Sequence, residues 1–72
     1  MKIDVYTKDN CPWCTRAKAY LEECGETYNE ILVTEDNRDH IKEKFPEAKT
    51  VPIIVFDDEW IGGYEELRRR FS

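Results

Sequence analysis

Cys11, Pro12, Trp13 and Cys14 set two thiols three residues apart, directly after a short apolar strand pattern and directly before a helical one. Two such thiols can close into a disulfide and reopen, which makes the pair a site for redox chemistry. The first thiol stands at the helix start, where backbone N–H groups lack intrahelical acceptors and favour its thiolate. Cys11 is therefore the expected nucleophile. Cys14, one turn in and more covered, is expected to remain a thiol and to act as the resolving residue. Pro12 suits the first turn because its missing N–H would find no partner there and its fixed φ already fits a helix.

Other uses of a Cys-x-x-Cys pair fit less well. A closed zinc site wants four ligands, and the remaining soft side chains, Cys24 and His40, lack the paired spacing that such sites use, so no metal is expected. Three cysteines are an odd count for a disulfide framework, and so short a loop would constrain the unfolded chain little.

The chain's 72 residues suffice for one domain, residues 1–72, near the size where a single core is only marginally sufficient. A net charge of −5 argues against nonspecific nucleic-acid binding. The run Arg68, Arg69, Arg70 is the one basic cluster. Cations in the last turn of a helix are favoured by its dipole, and the other reading is a docking patch for an acidic partner. No apolar run is long enough to span a bilayer, and Met1, Lys2, Ile3, Asp4, Val5 lack a signal-peptide apolar core, so no membrane association is expected. The expected compartment is the cytoplasm, whose reducing poise suits a dithiol that cycles.

The elements that must carry the thiols follow from periodicity. Residues 2–6 alternate polar and apolar, with Met1, Ile3 and Val5 on one face, and read as a strand. Residues 7–10 form a turn. Residues 12–24 contain no internal Pro or Gly and put Cys14, Ala17, Leu21 and Cys24 on one helical stripe that Gly25 stops. On that stripe Cys24 reads as a core thiol; the rival reading, a regulatory thiol, requires exposure. Residues 28–33 make a second strand, parallel to the first across a helical crossover. Residues 34–37 supply turn and N-cap chemistry for a short helix marked by Ile41 and Phe45 and ended by Pro46, with His40 solvated within it. Ile53, Ile54, Val55 and Phe56 read as a central strand, Asp57 and Asp58 as a turn, and Glu59, Trp60 and Ile61 as the returning strand. Gly62 and Gly63 open a tight bend before a helix over 64–71, whose buried stripe is Leu67 and Phe71. The order β-α-β-α-β-β-α predicts an α/β fold, a four-stranded mixed sheet with helices on both faces. Its site forms at the carboxyl end of the parallel strands, where the first strand delivers Cys11.

The Cys11-Pro12-Trp13-Cys14 run, Thr50-Val51-Pro52 before the third strand and Ile61-Gly62-Gly63 after the fourth resemble the glutaredoxins of the thioredoxin superfamily, over essentially the whole chain. The continuation Tyr64-Glu65-Glu66-Leu67 and the shortness look most like phage and bacterial members. The resemblance implies a thioredoxin-like fold, a cis Val51–Pro52 bond, and glutathione as ligand and reducing co-substrate. An extended thiol peptide would pair with Val51 like an added strand. By the same resemblance, Thr50, Val51, Pro52 and Trp13 border the ligand. Lys8 matches the lysine facing the thiolate and the glycine carboxylate, the N–H groups of Gly63 and Tyr64 meet the γ-glutamyl carboxylate, and Glu65 receives its ammonium. The family more often has tyrosine at Trp13 and aspartate at Glu65. Its second cation, on the middle helix, has no single match: Arg38 and Lys42 both lie near, and neither is assigned.

The implied activity is thiol-disulfide oxidoreduction. Cys11 attacks a protein disulfide or glutathione mixed disulfide, after which either glutathione or Cys14 resolves the intermediate. Disulfide-containing proteins are the expected partners, ribonucleotide reductase among them, for a chain acting as a monomer. Two rivals stand beside this reading: a disulfide reductase fed by thioredoxin reductase, and a module bridging a [2Fe–2S] cluster between two chains. Lys8 and Glu65 favour glutathione over the first, and Pro12 counts against the second.

Overall fold

The computed structural model describes residues 1–71. Its elements are β1 (Ile3–Thr7), α1 (Pro12–Glu23), β2 (Asn29–Leu32), α2 (Arg38–Lys44), β3 (Ile53–Phe56), β4 (Glu59–Gly62) and α3 (Tyr64–Phe71). The strands form one mixed sheet in the order β2-β1-β3-β4. β1 and β2 run parallel, in register Val5 to Glu30, while β3 is antiparallel to both β1 and β4. A parallel pair needs a long crossover, and α1 provides it.

The two central strands are buried along their whole length, because helices cover both faces. On one face Ile3, Val5, Ile54 and Phe56 pack against Ala17 and Leu21 of α1 and Leu67 of α3. On the other, Tyr6, Ile53 and Val55 meet Ile41 and Phe45 of α2 and its end, with the Tyr6 and Phe45 rings 5.6 Å apart, edge to face. The polar residues of β1 are buried with partners: Asp4 accepts from Asn29 Nδ2 at 3.2 Å, and Thr7 donates to Glu30. Met1 does not share the inward face of Ile3 and Val5. It precedes the strand and is exposed.

Turn chemistry sets the connections. Gly25, at φ 73°, ends α1 in a Schellman motif: its N–H reaches Glu22 O at 3.1 Å, and Glu26 N–H reaches Leu21 O at 3.0 Å. Asp57 and Asp58 both have positive φ, as a two-residue I′ hairpin turn requires. Asn37 stands at the N-cap of α2 but does not cap it. Its side chain ties the preceding turn instead, accepting from Thr34 N–H at 2.7 Å and donating to Leu32 O at 2.9 Å.

The core reading of Cys24 is overturned: Cys24 is exposed. At about 100° per residue it lies about 80° round the helix from Cys14, and it sits at the C-cap, beyond the last helical residue and a turn past the buried Leu21. Its rotation is within about 20° of that of the buried Ala17, so it is the position past the helix end that exposes it. Among the described residues, no helix is long and apolar enough to cross a membrane.

Candidate active site

β1 ends at Thr7, and the turn that follows brings Cys11 over the carboxyl end of the sheet. Asn10, at φ 58°, makes the sharp left-handed step before it, a conformation that asparagine tolerates. Cys11 is then the N-cap of α1 in extended geometry, with Pro12 in the first turn. Its side chain takes the capping role usually held by a serine or aspartate oxygen, accepting the Cys14 N–H at 3.2 Å.

The two thiols occupy different settings. Cys11 is half-buried at the rim, whereas Cys14 is 2% exposed. Burial, chiefly, pushes the Cys14 thiol up to about 11, with its hydrogen bond to Cys11 acting in the same direction. One sulfur is reachable and hydrogen-bonded by an N–H; the other is covered and held protonated. That division suits an attacking thiolate followed by a resolving thiol.

The Val51–Pro52 peptide bond is cis, and Cys11 Sγ lies 4.0 Å from the Val51 carbonyl oxygen. Two clefts meet at this point. The first, about 290 Å³, is lined by Trp13, Thr50, Val51, Pro52, Gly63, Tyr64 and Glu65, the binding residues expected from sequence other than Lys8, and also by Glu66. Trp13 is half-exposed, its ring 5.6 Å from that of Tyr64, with the Arg16 guanidinium 4.7 Å over it. Lys8 lies outside this cleft. It lines a second one, about 220 Å³, which shares Thr50 and Val51 and adds Arg38, Lys42 and Lys49. In a chain of net charge −5, a cleft with four cations and no carboxylate in its lining is a local anion site. Arg38 and Lys42 are thus both brought beside Lys8.

Glu66 is the residue that motif reading missed. Its Oε1 accepts the Gly63 N–H at 2.8 Å, and Leu67 N–H bonds Gly63 O at 3.0 Å, so Gly63 is the N-cap of α3 and Glu66 closes half of a capping box. The spacing of an acid three residues after a cap was the available signal. This bond occupies the Gly63 N–H, so the helix-start donors without i−4 acceptors are those that follow it, on Tyr64, Glu65 and Glu66. Of the two adjacent glycines, only Gly62 needs glycine's freedom, at φ 129°. A Cβ there would sit 2.5 Å from Glu66 Cγ and 2.9 Å from its Cβ. Gly62→Ala is expected to displace Glu66 from its cap and to cost more than about 1 kcal/mol in urea unfolding.

Among the described residues, no three His, Cys, Asp or Glu side chains converge to hold a metal ion. His40 is exposed on α2.

A mixed sheet between helix layers, with a capped Cys-x-x-Cys at the carboxyl end of β1 and a cis-proline loop against its sulfur, defines a thiol-disulfide oxidoreductase of thioredoxin-like fold. The glutaredoxin family model matches residues 3–61. Glutaredoxin 1 of Rickettsia conorii is 40% identical over 68 residues, spanning 90% of this chain and 67% of the relative. Glutaredoxin 3 of Escherichia coli K12 is 36% identical over 67 residues, spanning 90% and 80%. The crystal structure of glutaredoxin 1 from Francisella tularensis, in complex with cacodylate, superposes with a TM-score of 0.81 at 31% identity, covering 97% of this chain and 91% of that one. The chain belongs to the glutaredoxin family.

Proposed function

We propose that this chain is a glutathione-linked reductase of glutathione mixed disulfides and protein disulfides, with Cys11 as nucleophile and Cys14 as resolving thiol. The observation that carries the reading is the meeting of two clefts at Val51, beside Cys11. One has four cations in its lining; the other holds the start of α3 and two carboxylates, Glu65 and Glu66. Glutathione matches that division: a glycine carboxylate at one end, a γ-glutamyl carboxylate and ammonium at the other, and a thiol between. Lys8 receives the glycine carboxylate, with Arg38 and Lys42 at the same cleft. The N–H groups of Tyr64 and Glu65 receive the γ-glutamyl carboxylate, and Glu65 receives its ammonium. Val51 pairs with the cysteinyl backbone and directs its sulfur at Cys11.

The chemistry balances without a resident cofactor. Cys11 thiolate attacks the glutathione sulfur of a mixed disulfide, a Cys11–glutathione bond forms, and the substrate thiolate leaves and takes a proton from solvent. A second glutathione thiolate then attacks, releasing glutathione disulfide and restoring the Cys11 thiolate. With a protein disulfide, Cys14 attacks Cys11 instead, the target leaves as a dithiol, and the Cys11–Cys14 disulfide left behind is reduced by two glutathiones, which depart as glutathione disulfide. We place this cycle in the cytoplasm, on a monomer, with ribonucleotide reductase among its disulfide partners; a reducing compartment is what a cycling dithiol requires.

The test is turnover of a glutathionylated peptide with NADPH supplied through glutathione and glutathione reductase, set against NADPH supplied through thioredoxin reductase. Turnover with the first is expected. Turnover with the second alone would overturn the glutathione assignment. Lys8→Gln is expected to raise KM for glutathione by about 3- to 10-fold with a much smaller change in kcat, the mark of a binding contact shared by ground and transition states.

A further inference from the structure

Behind the thiols, α1 and β2 hold a polar cluster that the cycle above does not use. Lys18 follows Cys14 by four residues on α1, so the two side chains share a helix face. Its Nζ lies 2.9 Å from Glu30 Oε2, and the same oxygen accepts from Thr7 Oγ1 at 2.8 Å. The sheet explains the meeting. Glu30 pairs with Val5, and Thr7 stands two residues further along β1, so Thr7 and Glu30 project from the face that α1 covers. Thr7 is 1% exposed and anchors the cluster in the core. Lys18, Glu30 and Thr7 line one cleft of about 580 Å³ together with Cys11 and Cys14.

We propose that Lys18, tethered by Glu30 and Thr7, is a positioning cation for the resolving step, stabilising the Cys14 thiolate as it forms to attack the mixed disulfide on Cys11. The proposal rests on the dithiol route described above. In that step Cys14 gives its proton to solvent, the Cys14–Cys11 bond forms, the Cys11–target bond breaks, and the target thiolate leaves and is protonated by solvent. The target gains the electron pair, and the enzyme dithiol becomes a disulfide.

Electrostatics around Cys14 fit this role. Burial opposes its ionisation most, followed by the hydrogen bond to Cys11; the Lys8 backbone N–H and the Lys18 charge favour it. In the mixed disulfide Cys11 carries no charge, so its charge repulsion of a Cys14 thiolate ends, and the Lys8 N–H and Lys18 remain to offset burial. Lys18 stays a cation because its bond to Glu30 raises it, and Glu30 stays an anion because its bonds to Lys18 and Thr7 lower it. The other charged groups lining the cleft are the Lys8 and Asp9 side chains, from the loop before Cys11. Arg16, the other α1 cation near the thiols, is engaged over Trp13.

Lys18→Met, Lys18→Arg and the neutral pair Lys18→Met with Glu30→Gln test the proposal. The double variant serves if Lys18→Met alone, leaving Glu30 unpaired, fails to fold. Two quantities are read: the alkylation rate of Cys14 against pH in a Cys11→Ser background, and the ratio of protein-disulfide to glutathione-mixed-disulfide turnover at pH 7. Loss of the cation is expected to move the Cys14 midpoint up by about half to one pH unit and to lower the ratio about 3- to 10-fold, with Lys18→Arg restoring most of both. An unmoved midpoint, an equal fall in both turnovers, or an arginine variant no better than methionine would overturn it. A parent protein with no Cys14-dependent turnover would remove the dithiol route itself, and the proposal with it, a result distinguishable from variants that merely match an active parent.

Discussion

Cys11→Ser is expected to lower turnover of both protein disulfides and glutathione mixed disulfides to about a thousandth of the parent rate or less. Cys11 is the half-buried thiol at the mouth of the site, receives the Cys14 N–H at 3.2 Å, and lies 4.0 Å from the Val51 carbonyl oxygen. A serine at the cap would still accept that N–H, so the helix start should survive. It would lack a sulfur able to form the mixed disulfide. Neither remaining thiol is set to replace it: Cys14 is covered and pushed up to about 11, and Cys24 lies at the far end of α1. The check is steady-state turnover on both substrate types, with circular dichroism showing that the fold is retained.

Cys14→Ser is expected to separate the two routes. Turnover of a glutathione mixed disulfide should stay within about threefold of the parent, because glutathione resolves the Cys11 intermediate. Reduction of a protein disulfide that depends on intramolecular resolution should fall about a hundredfold or more. The same assignment sets a pH dependence. Cys14 is raised, chiefly by burial, so the neutral thiol dominates at pH 7 and raising the pH increases the reactive thiolate. The resolving step should therefore climb by about tenfold per pH unit across the neutral range, until the thiolate fraction saturates. Rapid-mixing measurement of target release from a preformed mixed disulfide on the parent checks this slope, and Cys14→Ser should show no such phase.

What was legible in the sequence is what local rules determine. The helix carrying Cys14, Ala17 and Leu21 follows from its spacing and from Gly25, and the hairpin at Asp57 and Asp58 from residues that tolerate positive φ. The seven elements and their mixed sheet follow from such segments together with the crossover rule. Less legible was anything decided by contacts between distant segments. The stripe ending at Cys24 looked continuous as spacing, but the helix stops at Glu23 and leaves Cys24 at the exposed C-cap, a turn past the buried Leu21. Asn37 carried the right residue type for a cap and spent its side chain on the preceding turn. Lys18 drew no notice in the sequence although it stands four residues after Cys14, because its link to Glu30 and Thr7 depends on the β1–β2 register. Glu66 was overlooked beside Glu65 because the family motif drew the reading to one acid, while the cap spacing pointed to its neighbour. Family resemblance supplied the candidate binding residues, and the clefts divide them, Lys8 in the one that adds Arg38 and Lys42 and Glu65 in the other.

The central claim is that Cys11 accepts glutathione from a disulfide. It is tested most directly by incubating Cys14→Ser with glutathione disulfide and mapping the adduct by peptide mass spectrometry. One glutathione per chain on Cys11, removed by added glutathione at the turnover rate, is the predicted result. An adduct confined to Cys24, or a Cys11 adduct that glutathione does not release, would contradict it.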